Sequence, residues 1–235
     1  MRISRALGAM TATLLLAAVG CSHQIEGTAK QHPTQPPLAL SEDGSGIVAG
    51  YPDAPVRFEL YTEPQCNHCA ALQKESGDDI ERYINLGLLA VTYRPLTFLD
   101  QLANEDYSAR VANALFLAVG APQATDAPNT ASGPQFQRFV EELWAAQDPI
   151  GNGPSDEDMK DMAEKAGMPS DVADKIGEGQ TAPNVDIDQM ASYNYGSLVA
   201  IDPISSGTPT VYDLATKKKI DISQSDWLDT LMSSA

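Results

Sequence analysis

The chain has 235 residues, with 32 acidic against 15 basic side chains and a formal charge of −17. A surplus of negative charge on this scale excludes nucleic acid and anionic membrane surfaces as partners. Residues 1–20 read as a secretory signal: Arg2 and Arg5 form a positive head, and the apolar run 14–19 is too short to span a bilayer. Its removal leaves 13 basic and 32 acidic side chains and a charge of −19.

The signal ends in Ala18-Val19-Gly20-Cys21, which resembles a bacterial lipobox with Ala where Leu is usual. Cys21 is therefore the expected lipidation site, the alternative being a secreted protein with a stray cysteine. Residues 21–45, rich in Pro, Gln, Ser and Gly, are expected to form a lipidated flexible tether reaching about 25–30 Å, with His23 and His32 as solvated bystanders. Assigning Cys21 to lipid leaves Cys66 and Cys69 as an isolated pair in an exported protein, where thiols can be oxidised.

Residues 56–61 alternate, with β-branched and aromatic content, and predict a strand. A turn follows at Glu63-Pro64-Gln65. Residues 66–86 predict a helix with Leu72, Ile80, Tyr83 and Ile84 on its apolar face and a break or bend near Gly77. The nearly all-apolar residues 88–94 predict a strand buried on both faces. Strand, helix and strand in this order form a βαβ unit with a right-handed crossover. Helices are then expected over 105–119, 134–147, from Ser155, over 169–176 and over 184–199, with a polar loop at 121–133. Residues 141–188 hold thirteen acids and three lysines and read as a solvated face. Strands at 210–214 and 218–222 predict a hairpin, and Ser225-Asp226 caps a last helix carrying Trp227, Leu228, Leu231 and Met232.

The chemistry centres on Cys66-Asn67-His68-Cys69. A structural zinc needs four ligands, and no second CxxC exists; no metal site is expected. A structural disulfide around two residues restrains little unfolded-chain entropy. Exchange chemistry suits the pair better. Cys66 at a helix N-terminus meets unpaired N–H groups and the positive end of the helix dipole. His68, in the same turn, can donate to the sulfur or place positive charge near it. Both effects favour the thiolate, and a stabilised thiolate makes the disulfide a good oxidant. Cys69, one turn in, would be more buried and resolve the exchange. Thr208-Pro209 precedes a strand, where a cis bond would bring the chain close to the site.

With CxHC after a strand, a long helical block, and Thr208-Pro209 before a closing hairpin, residues 46–235 resemble the thioredoxin superfamily. Within it they look like the DsbA-like extracytoplasmic branch, and the run from Leu96 to Leu115 resembles actinobacterial lipoprotein members. The resemblance implies an α/β thioredoxin fold (residues 46–98 and 201–235) with an inserted helical domain (99–200). It implies catalytic roles for Cys66 and Cys69 with His68, substrate binding by Thr208 and Pro209, and no cofactor beyond a redox-active Cys66–Cys69 disulfide. Its implied partners are exported, reduced or unfolded protein clients and a membrane quinone-linked oxidase. Implied too is a location at the outer side of the cell membrane, lipid-anchored. A buried acid serves as proton acceptor in this superfamily, and Glu59 and Glu63 are the candidates. Three residues depart from the prototype oxidase: Gln65 in place of an aromatic, Asn67 in place of Pro, and Thr208 before the proline, as in reductase and isomerase branches. The expected activity is thiol–disulfide exchange as an oxidase. The alternatives are a reductase or isomerase, or a non-enzymatic subunit of an envelope complex.

Overall fold

A computed structural model describes residues 35–101, 106–120, 130–148, 151–183 and 185–234. The signal, Cys21, His23, His32 and loop residues 121–129 lie outside them. Six strands form the sheet: β1 (Leu38–Leu40), β2 (Ile47–Ala49), β3 (Val56–Thr62), β4 (Leu89–Pro95), β5 (Thr210–Asp213) and β6 (Lys218–Lys219), in the order β1-β2-β4-β3-β5-β6. The β3–β4 pair is parallel and the others are antiparallel. A parallel pair needs a crossover, and helix α1 (Asn67–Asn85) supplies it. All seven residues of β4 are buried, as expected of a central strand covered on both sides.

The helical block comprises α2 (Tyr107–Val119), α3 (Gly133–Ala145), α4 (Asp156–Lys165), α5 (Ser170–Gly177) and α6 (Ile187–Ile201), preceded by a 3-10 turn at Phe98–Gln101. Local chemistry sets several starts. Ser132 with Gln135, and Ser155 with Asp158, close capping boxes at α3 and α4. Asp156, Glu157 and Asp158 occupy the first turn of α4, at the positive end of its dipole. Helix α7 (Trp227–Ser233), the last described element, carries Trp227 edge-on to Phe58 of β3, at 5.9 Å between ring centroids. A continuous core joins sheet and helices, with Phe58, Ile80, Ile84, Val91, Phe136 and Phe139 all fully enclosed.

Three expectations are corrected. The tether does not extend to residue 45: β1 pairs with β2, Leu38 opposite Ala49 and Leu40 opposite Ile47, and Leu38 is buried. Three-residue strands are too short for an alternating pattern to register. Helix α1 does not break at Gly77; it runs unbroken, and Gly77 instead lets α3 approach. A Cβ there would lie 2.7 Å from Glu141 Cγ and Cδ. The strand expected over 218–222 is confined to Lys218–Lys219. Among the described residues, no helix is long and apolar enough to cross a membrane.

Candidate active site

Strand β3 delivers the chain to a buried turn, Glu63-Pro64-Gln65, and the turn delivers Cys66 to the head of α1. Cys66 is the N-cap, extended at φ −80° and ψ 114°. Its N–H donates to the Glu63 carbonyl (3.0 Å), and its carbonyl accepts from Cys69 N–H (2.9 Å) and Ala70 N–H (3.2 Å). The helix therefore begins at the first cysteine. The two residues carry free thiols, Cys66 half-buried and Cys69 1% exposed. The Thr208–Pro209 bond is cis. It brings the Thr208 carbonyl to 3.3 Å from Cys66 Sγ, which donates to it as a thiol. Strand β5 fixes this approach by pairing Thr210 with Tyr61.

The two sulfurs have opposite electrostatics. As a thiolate, Cys66 is stabilised first by the Cys69 thiol and then by the Thr208 hydroxyl and the N–H groups of Cys69 and His68. These outweigh the opposing cost of burial and bring its pKa down to about 5. Cys69 is pushed well up, by burial first, then by its hydrogen bond to the Cys66 sulfur and by that sulfur's charge. Glu63, 0% exposed, is pushed up to about 7. Burial is the main cause, with smaller contributions from the charges of Asp100 and Cys66; bonds from Ser108 and the Gln65 N–H oppose it.

The structure therefore gathers Cys66, Cys69, His68, Thr208 and Pro209 around one dithiol. His68 contributes its backbone N–H to the sulfur. Its imidazole side is exposed and lines a groove of about 680 Å³ with Leu72, Ser76, Thr208, Pro209 and Trp227. Of the two candidate acids, Glu63 lies behind the pair. Glu59 instead takes a bond from Tyr61 Oη (2.7 Å) and an ion pair from Arg94 (2.7 Å).

Sequence reasoning missed the shell that holds the turn. The Gln65 amide donates to Asp100 (2.7 Å) and Ser108 (3.0 Å). The Ser108 hydroxyl donates to Glu63, and Asp100 accepts from the N–H groups of Ser108 (2.8 Å) and Ala109 (2.9 Å) at the head of α2. Gln147, just past α3, donates to the carbonyls of Pro64 and, at 3.0 Å, Cys66. Gln65 was legible as a departure from an aromatic position; nothing local marks the others.

A family model described as Thioredoxin matches residues 42–187. Among solved structures, the chain is similar to the MdbA protein, a thiol-disulfide oxidoreductase from Corynebacterium matruchotii. The TM-score is 0.63 at 22% identity, covering 84% of this chain and 92% of that one. The MdbA protein from Corynebacterium diphtheriae gives 0.61 at 24%, covering 84% and 95%. Reduced DsbA from Mycobacterium tuberculosis gives 0.59 at 18%, covering 81% and 92%. At these identities the likeness establishes the fold. No curated protein sequence matches the chain.

Proposed function

Because the chain belongs to the thioredoxin family, with a DsbA-like fold, we propose that it is an extracytoplasmic thiol–disulfide oxidoreductase working as an oxidase of exported proteins. The observation that carries this reading is the asymmetry of the dithiol: Cys66 held as a thiolate and half-buried at a helix head, Cys69 buried and held protonated.

In the oxidised protein Cys66 and Cys69 share a disulfide. A client thiolate attacks Cys66 Sγ, and the Cys66–Cys69 bond breaks. Cys69 leaves with the electron pair and takes up a proton; Glu63, whose carboxyl titrates near neutrality beside the pair, supplies it. A second client thiolate then attacks the client sulfur of the mixed disulfide. Cys66 leaves as the stabilised thiolate, and that stability drives the step. The client gains a disulfide, and the enzyme holds the two electrons and a dithiol. Thr208 and Pro209, against Cys66, would seat the client backbone, and the groove beside His68 would seat its flanking residues. A membrane quinone-linked oxidase would remove the electrons, and a lipid on Cys21 would keep the protein at the outer membrane face. No cofactor besides the disulfide enters the cycle.

The test is oxidation of a reduced unfolded client. The wild type should oxidise it. Cys66→Ser should abolish the reaction, and Cys69→Ala, with Cys66 first loaded as a mixed disulfide by oxidised glutathione, should pass to a client thiolate with release of glutathione thiolate and accumulate a mixed disulfide through Cys66. A Cys66→Ser protein as fast as wild type overturns the reading. Thr208 before the proline favours a second reading, reductase or isomerase. Equilibration with glutathione separates the two: a strongly oxidising couple supports the oxidase, and a thioredoxin-like couple supports the alternative.

A further inference from the structure

The turn that presents Cys66 is held from outside the sheet. On one side Gln65 is tied to Asp100 and Ser108. On the other, Gln147 reaches the carbonyls of Pro64 and Cys66 across more than 80 positions of sequence. Gln147 is itself braced. It lies one residue past the C-cap of α3, its N–H bonds to the Trp144 carbonyl, and Trp144 is enclosed in the core. Its carboxamide is therefore delivered from the end of a helix anchored in the core by Trp144.

The carbonyl it grips belongs to the reactive residue. Cys66 C=O already accepts two N–H donors from α1, and a third places one more partial positive charge beside the residue that carries the anion. The same contacts hold the turn so that the first N–H groups of α1 face the sulfur. We infer that Gln147 is a positioning residue of the dithiol: by holding the Pro64 and Cys66 carbonyls it keeps Cys66 seated at the helix head, making the helical insertion part of the redox site. This rests on the oxidoreductase reading and extends it from the two sulfurs to a residue of the insertion.

Gln147 is partly exposed, so substitution leaves the core intact. Gln147→Met removes the donor at similar size. Gln147→Lys keeps a donor. Gln135→Met serves as control, because the Gln135 side chain bonds Ser132 and Gly167 within the insertion. The full chain of each is titrated in the reduced form by thiolate ultraviolet absorbance and equilibrated with glutathione. Gln147→Met should raise the Cys66 midpoint by about half a pH unit and shift the equilibrium about threefold toward the disulfide, since one unit corresponds to a factor of ten. Gln147→Lys should titrate at or below wild type, and Gln135→Met with wild type. A Met variant that titrates with wild type overturns the inference, as does an equal shift in Gln135→Met. If the Met variant does not fold, the Lys variant decides: an upward midpoint overturns the inference, and a midpoint at or below wild type supports it. A wild-type Cys66 titrating as an ordinary thiol overturns the oxidoreductase reading instead.

Discussion

Cys66 and Glu63 respond to pH in opposite directions, and each gives a measurable consequence. The folded pKa of Cys66 lies near 5, below the ordinary thiol value of 9.0. The stability this contributes is complete above pH 9 and is lost as pH falls through about 5. The melting temperature of reduced wild type, measured against reduced Cys66→Ser, should therefore climb between pH 5 and 9; a flat difference would mean the thiolate is not held by the fold. Glu63 is raised from 4.5 to about 7. Its favourable contribution is complete below 4.5 and is lost as pH rises through 7. Glu63→Gln should thus stabilise the reduced protein at pH 8 by on the order of 2 kcal/mol relative to its effect at pH 4, while slowing protonation of Cys69 in client oxidation. The dithiol was legible because its spacing and its place between strand and helix are local in sequence. Glu63 was half legible, one of two acids near the pair, and burial against ion pairing decides between them. Ser108 and Gln147 were invisible, because their partners lie 45 and 81 or more positions away.

Secondary structure that shows an amphipathic stripe was read correctly, and what was missed is short. Helices α2, α3 and α6 fall within a few residues of expectation because three- and four-residue spacing records a buried face over several turns, while α4 and α5 were legible at their starts, Ser155 with its acidic first turn and Pro169. Strands β1 and β2 leave no such record, yet the turn between them carries Asp43, which joins Glu59 of β3 in holding Arg94 of β4. Arg94 is nearly enclosed, and the arrangement ties three parts of the sheet at one end. Desolvation works against Asp43, but bonds from Arg94, Ser41 and Ser45 outweigh it and hold its pKa down at about 2. Removing Arg94 leaves the partly buried Glu59 carboxylate without its cation, with the Tyr61 hydroxyl still bonded to it. Arg94→Met should cost about 3 kcal/mol, a fall in melting temperature of roughly 6–12 °C, with the Cys66 titration unchanged. Calorimetry beside the thiolate titration checks both halves.

The full sequence carries a charge of −17, and −19 without residues 1–20, and long-range steering of clients toward or away from the reactive sulfur follows from it. A cysteine peptide flanked by lysines should be oxidised faster than one flanked by glutamates at low ionic strength, with the gap closing as added salt shortens the Debye length to about 3 Å near 1 M. Stopped-flow rates across a salt series test this; a salt-independent ratio would leave only local contacts to discriminate.

The Thr208 carbonyl meets Cys66 Sγ across 142 positions of chain. A growing polypeptide therefore presents both thiols long before the segment that completes their surroundings. Cys66 then has its Cys69 neighbour and the first N–H groups of α1 within the same stretch of chain, but lacks the contact from Thr208. The contact that closes the surroundings of the sulfur is thus among the last the chain can form, and it waits on the segment that pairs Thr210 with Tyr61.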